Sequence, residues 1–126
     1  ATALQAAVSG VEDAHGVAVD VVSVGDAPTT DALRAAVKAA REAVQNAARH
    51  GAEPISVYAE LTESRYEVFV RDSGPGFDPS AVSADRAGIR HSILGRARRH
   101  GGDAVIASTP GGRTEVTITI PREEQR

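Results

Sequence analysis

Cysteine, methionine and tryptophan are all absent from this 126-residue chain. Without cysteine there is no disulfide framework and no thiolate metal site. Aromatic residues make up only 3% of the sequence, so any core must be built from Val, Ile, Leu and Ala. No apolar run approaches the roughly 18 residues of a membrane-crossing helix. No signal-peptide pattern is visible either. Lysine is nearly absent: Lys38 stands alone beside the arginines. The formal net charge is −3, which argues against a nucleic-acid partner. What remains is an ordinary globular composition, 41% hydrophobic and 25% charged. Residues 1–126 are long enough for one domain with a single core, and the chain carries no repeat and no internal linker.

Local patterns predict the elements. Leu4, Ala7, Val8 and Val11 share a stripe, so residues 1–14 read as a short helix broken by Gly16. Val17–Val24 is β-branched and alternating, which predicts a strand, followed by a turn at Gly25-Asp26-Ala27-Pro28. Thr30 or Asp31 is placed to cap a second helix that ends near His50 with Gly51 after it. Ile55, Val57, Ala59 and Leu61 share one face of a strand, and Tyr66, Val68 and Val70 one face of the next. Thr62-Glu63-Ser64 is the expected hairpin turn between them. Residues 73–91 lack periodicity and read as a long loop, of the kind that is usually functional. A basic helix is expected over Ile93–His100, then strands over Ala104–Ala107 and Thr114–Ile120 around a Pro110-Gly111-Gly112 turn. Val116, Ile118 and Ile120 should face the core, with Thr117 and Thr119 on the other side. Hairpin-linked strands with helices grouped apart predict an α+β fold, one mixed sheet with helices on one face.

Two polar constellations stand out. On the second helix, Leu33, Val37, Ala40, Val44 and Ala47 form an apolar stripe, and Glu42, Asn46 and Arg49 are expected roughly opposite it. Such a trio is also what an ordinary solvated helix face looks like. Its chemistry is nevertheless specific. The Asn46 amide oxygen suits a hard cation such as Mg²⁺, and Glu42, one turn earlier, suits a proton acceptor or an orienting group. Arg49 suits phosphate oxygens. His50 suits a phosphate or a sugar, or simply the helix C-terminal dipole. The second constellation is Arg71-Asp72-Ser73-Gly74-Pro75-Gly76-Phe77-Asp78-Pro79. A carboxylate straight after a strand can accept from an exocyclic amine, and alternate glycines let the backbone turn tightly beside a ligand. Alone, this too could be an ordinary loop.

In this order and at this distance, the two motifs resemble the ATP-binding domain of the GHKL superfamily, which includes histidine kinases, gyrase-type ATPases and MutL. Glu42-Ala43-Val44-Gln45-Asn46-Ala47-Ala48-Arg49-His50 is similar to the N box, in the version of NarL/DesK-type sensor kinases. Asp72-Ser73-Gly74-Pro75-Gly76-Phe77 is similar to the first glycine box, and Gly111-Gly112-Arg113-Thr114 to the element before the final strand. The resemblance spans Leu4 to Pro121 and implies a Bergerat-type two-layer α/β sandwich, its mixed sheet mostly antiparallel. It implies that Asp72 takes the adenine amino group, with Thr114 assisting through water. Asn46 would hold Mg²⁺ on the phosphates of ATP, and Arg49 and His50 would lie near phosphate or ribose. Gly74, Gly76 and Phe77 would shape the lid entrance, and Glu42 would serve as general base. The reaction implied is γ-phosphoryl transfer, where positioning and charge stabilisation supply most of the catalysis.

The sequence departs from the family at the second glycine box. The usual Gly-x-Gly-Leu or Gly-Leu-x-Gly-Met is here Gly88-Ile89-Arg90-His91-Ser92-Ile93, so His91 or Ser92 replaces the second glycine. A helix N-terminus at Gly88 and Ile89 is expected to offer amide donors to phosphate. The variant is similar to that of actinobacterial sensor kinases with a PspC-like membrane region. None of the four histidines has a phosphoacceptor context. The expectation is therefore a catalytic domain cut from a longer, membrane-anchored, homodimeric sensor and lying in the cytoplasm. It would act on a histidine of a separate dimerisation domain, for relay to a response regulator. Alternatives are an anti-sigma-factor serine kinase and a catalytically weak nucleotide-binding module of the same fold.

Overall fold

The computed structural model describes residues 2–50, 53–74, 84–108 and 112–122, with side chains for all but His50 and residues 84–89. The order is α1 (Thr2–His15), β1 (Val19–Gly25), α2 (Asp31–His50), β2 (Ile55–Leu61), β3 (Arg65–Asp72), α3 (Ala84–Arg99), β4 (Asp103–Ser108) and β5 (Thr114–Pro121). The strands form one five-stranded sheet in the order β1-β2-β3-β5-β4. β1 and β2 are parallel and every other pair is antiparallel. Parallel neighbours need a crossover, and α2 is that crossover.

Side-chain alternation makes the sheet two-faced. Ile55, Val57, Ala59, Leu61, Tyr66, Val68, Val70, Val116, Ile118 and Ile120 are all buried on the helix side. The open side carries a cross-strand row, Val22, Tyr58, Phe69, Thr117 and Val105. The Tyr58 and Phe69 rings lie 6.1 Å apart there. α1 covers α2 through Leu4, Val8 and Val11, while α3 packs on α2, β4 and β5.

Capping sets the helix ends. The Thr30 hydroxyl oxygen accepts from the Leu33 N–H at 3.2 Å, so Thr30 is the N-cap of α2 and Asp31 its first helical residue. α3 ends in a Schellman motif: Gly102 N–H donates to the Ala97 carbonyl and Gly101 N–H to that of Arg98. Gly101 takes the left-handed conformation this requires, at φ 78°. The Glu12 carboxylate accepts from the Val19 N–H at 2.9 Å, tying α1 to the start of β1.

Two expectations are corrected. Residues 84–92 are helical, so α3 starts nine residues before the expected Ile93. Its sequence hides this because Gly88 and Gly95 interrupt it and, among the described side chains, only Ile93 and Ala97 are buried. Packing on α2 and β4 sustains the helix where local propensity is weak. The amides of residues 88–92 therefore lie beyond the first turn, within the hydrogen-bonded helix interior. They do not form the open helix N-terminus expected at Gly88 and Ile89. The second correction concerns α2. Its buried face is Ala32, Leu33, Ala35, Ala36, Ala39, Ala40, Ala43, Val44 and Ala47, broader than the expected stripe and centred to one side of it. Val37 is only half-buried.

Gly102 has no room for a side chain, because a Cβ there would drive into the Thr119 carbonyl of β5. Gly102→Ala should destabilise the fold by about 1–3 kcal/mol. Urea unfolding should show a lower midpoint at unchanged slope. An unchanged midpoint would mean that β4 and β5 part at no cost.

Candidate functional site

Topology gathers the polar groups at one end of the sheet. α2 reaches β2 through only residues 51–54, and Ser56 of β2 pairs with Arg71 of β3. The C-terminal end of α2 therefore lies over the C-terminal end of β3, where Asp72 sits. The Ser73 hydroxyl, donating to the Pro54 carbonyl at 3.4 Å, ties these two chain segments together. β5 starts at the same end, with Thr114 directly opposite Asp72. β4 finishes there, with Ser108 opposite Thr114.

Asp72, Thr114 and Ser108 thus form a row across three strands, and all three are buried. The Ser108 and Thr114 hydroxyl oxygens are 2.8 Å apart in a hydrogen bond. Asp72 Oδ1 accepts from the Gly74 N–H at 2.8 Å, which starts the turn out of β3. Nothing in the local pattern singles out Ser108. The inward parity of β4, carried on to its last residue, would have found it. Just outside this row, Arg71 pairs with Glu115 on the open face.

The α2 side of the site differs from expectation. Glu42 and Asn46 flank the buried face instead of standing opposite it, because the alanines widen that face toward them, and Arg96 of α3 covers Glu42. The Glu42 and Arg96 side chains are only 24% and 25% exposed, and Arg96 Nη2 donates to Glu42 Oε1 at 2.8 Å. The Asn46 Oδ1 atom is buried with no hydrogen-bond partner among the described residues. Arg49 remains exposed. Lys38, Arg41, Glu42, Gln45 and Arg96 line a cleft of about 350 Å³ between α2 and α3. A slightly larger hollow of about 390 Å³ lies on the open face around Tyr58 and Phe69. It holds none of the groups named here for chemistry.

The sequence-expected residues divide as follows. Glu42, Asn46, Asp72, Gly74 and Thr114 are described, and topology brings Asn46, Asp72, Gly74 and Thr114 to one end. His50 closes α2, but its side chain lies outside the described residues. Gly76 and Phe77 lie outside them altogether, and Gly88 and Ile89 are described only as backbone within α3. The Glu42–Arg96 pair joins residues 54 positions apart, and no local signal announces it.

No group of three or more His, Cys, Asp and Glu able to hold a metal occurs among the described residues. The donor set instead suits Mg²⁺, which keeps waters and substrate oxygens and needs only one or two protein oxygens. The unpartnered Asn46 oxygen is such a donor.

A two-layer α/β sandwich with its polar groups drawn to one sheet end is thus in place. The profile of the histidine kinase-, DNA gyrase B- and HSP90-like ATPases matches residues 31–124. The chain belongs to that ATPase family. An uncharacterized sensor-like histidine kinase of Chloroflexus aurantiacus is 43% identical over 89 residues, covering 66% of this chain and 15% of that protein. The sensor histidine kinase component HK1 of Mycobacterium tuberculosis is 38% identical over 93 residues, covering 62% of this chain and 55% of that protein. The chain thus spans between about a seventh and about half of these curated relatives. In fold it is similar to the histidine kinase domain of the Erythrobacter litoralis EL346 blue-light activated histidine kinase. There the TM-score is 0.71 at 19% identity, over 94% of this chain and 58% of that one. It is also similar to the mycobacterial sensor histidine kinase MprB, with a TM-score of 0.67 at 15% identity, over 95% of this chain and 93% of that one. No helix among the described residues is long and apolar enough to cross a membrane.

A buried acceptor without a partner costs stability. Asn46→Ala should stabilise the ligand-free protein by about 0.5–2 kcal/mol, by removing that acceptor and raising helix propensity. Chemical denaturation measures it. A loss of stability would show that the amide holds the fold together.

Proposed function

We propose that this chain is the ATP-binding catalytic unit of a sensor histidine kinase, transferring the γ-phosphoryl group of ATP to a histidine on a separate dimerisation domain. The observation that carries the reading is the buried, unpartnered oxygen of Asn46, one turn after Glu42. Asp72 stands buried at the same end of the sheet. In this reading Asp72 accepts from the adenine amino group, and Thr114, bonded to Ser108, keeps that end of the sheet polar and orients a bridging water. Asn46 would hold Mg²⁺, which would neutralise phosphate charge when bound. Arg49 and His50 face phosphate or ribose. Gly74, Gly76 and Phe77 form the lid entrance. Gly88 and Ile89 are proposed as further ATP-binding residues.

The step breaks the bond between the γ-phosphorus and its bridging oxygen and forms a phosphorus–nitrogen bond to imidazole. ADP leaves with the electron pair, and the Glu42 carboxylate takes the imidazole proton. Positioning matters more here than covalent chemistry, since the transferring group is already reactive once aligned. The phosphohistidine would then pass its phosphoryl group to a response regulator. The full-length protein is proposed to be a membrane-anchored homodimer that keeps this unit in the cytoplasm. The NarL/DesK type, with a PspC-like sensor region, is the proposed subgroup, on the Arg49-His50 ending and the altered second glycine box. Both curated relatives are sensor histidine kinases by name, which supports this reading over a serine kinase of the same fold. No nucleic-acid partner is proposed.

A ligand that binds only the folded state stabilises it by mass action, by about 2.7 kcal/mol at a hundred times its Kd. A non-hydrolysable ATP analogue with Mg²⁺ should therefore raise the melting temperature of the parent by several degrees. The rise should be lost in Asp72→Asn. Glu42→Gln should keep the rise while losing transfer to a histidine-bearing domain. No rise in the parent at millimolar nucleotide would overturn the reading in favour of a module that does not use ATP.

A further inference from the structure

The guanidinium of Arg96 is half-used. Its Nε and Nη2 lie on one edge of a planar fork that matches two oxygens of a carboxylate or phosphate. Nη2 donates to Glu42 Oε1 at 2.8 Å, while the neighbouring Nε is buried with no partner among the described residues. The Glu42 carboxylate therefore satisfies one donor of an edge built for two. A buried N–H of a cation left without an acceptor is costly, so the arrangement is poised to exchange for a better one.

The surroundings point to what that would be. Lys38 and Arg41 line the same cleft, so three cations surround the single Glu42 carboxylate. Further along α2 and α3 the surface continues with Arg34, Arg99 and His100, against Asp31. In a chain of net charge −3, this side of the molecule is locally cationic. Side chains on a helix lean toward its N-terminus. Arg96, in the last turn of α3, therefore leans along the cleft toward the N-terminal half of that helix. α3 runs into β4, which begins at the far end of the sheet, so its N-terminal half lies at the Asn46 and Asp72 end.

We propose that Arg96 is the residue by which this protein distinguishes ATP from ADP. Held by Glu42 when no nucleotide is present, its guanidinium transfers its Nε and Nη2 edge to the terminal phosphate of ATP. That exchange supplies Nε with its missing acceptor. It also releases the Glu42 carboxylate to accept a proton at the moment the transferable phosphoryl group arrives. ADP has no group at that place and leaves the pair closed. The inference rests on the reading above, in which nucleotide binds at Asn46 and Asp72.

Titration calorimetry with ADP and with a non-hydrolysable ATP analogue, both with Mg²⁺, tests it on four proteins. These are the parent, Arg96→Gln, Glu42→Gln and the double variant. Arg96→Gln should weaken the ATP analogue about 10- to 100-fold, the range of a charge-assisted hydrogen bond, and leave ADP within about twofold. Glu42→Gln should act in the opposite direction, tightening the ATP analogue about threefold or more because it frees the guanidinium. Simple relief of repulsion between Glu42 and phosphate would give that gain with or without Arg96. Exchange requires it to vanish in the double variant, a non-additive cycle. The double variant also guards against misfolding, since it leaves no unpaired buried charge. Arg96→Lys should recover only part of the preference, because an ammonium lacks the planar fork. An ATP-to-ADP affinity ratio unchanged in both Arg96→Gln and the double variant would overturn the assignment and leave Arg96 as a structural tie between α2 and α3. A parent that binds neither nucleotide would instead overturn the nucleotide reading itself.

Discussion

The close seating of α2 on the sheet is the constraint on which the rest depends. Seven of its buried residues are alanines, Ala32, Ala35, Ala36, Ala39, Ala40, Ala43 and Ala47. Small side chains let a helix backbone approach its partners closely, and β3, β5, α1 and α3 all lie against α2. The same helix is the crossover between parallel strands β1 and β2. It is therefore both the centre of the core and the carrier of Glu42 and Asn46. A methyl group added to that seam would lift the helix and carry the polar groups outward with it. Core volume and site geometry are in this sense one variable.

The polar groups follow the same economy. Asp72, Thr114 and Ser108 occupy inward positions on their strands, continuing the rows of the buried Val70 and Val116 and the partly buried Ile106. The sheet's alternation brings them inward, and the end of the sheet is where inward-facing polar groups can meet a ligand instead of hydrocarbon. Asn46 does the same from the helix layer. Its oxygen is buried and has no hydrogen-bond partner among the described residues. Such a group is carried at a cost to the fold's own stability.

How much of this is legible in the sequence varies by element. The strands are, because Ile55–Leu61 and Tyr66–Val70 alternate strictly and a period of two fits little besides a half-buried strand. Asp72 is too, since a carboxylate between a strand and a glycine-rich turn is conspicuous. The first half of α3 is not. Gly88 and Gly95 interrupt it, and Ile93 and Ala97 alone, among its described side chains, show the buried face. The placement of Glu42 and Asn46 is obscured for a different reason. Alanine weighs little in a hydrophobic pattern, so a face built from it looks narrower than it is. The Glu42–Arg96 pair is beyond reach, because it depends on how α2 and α3 meet and not on either helix alone.

The end of α3 has a mechanical consequence. Gly101 and Gly102 close its last turn with two hydrogen bonds, Ile93 and Ala97 are sunk into the core, and Gly102 leaves no clearance against β5. Toward the other end, Arg90, His91 and Ser92 are exposed. The helix is thus anchored most firmly where it enters β4. Arg96 sits in the last turn of α3, close to that anchor. A guanidinium in that position is held by the fold's most constrained joint, so its place relative to Glu42 is fixed by the backbone.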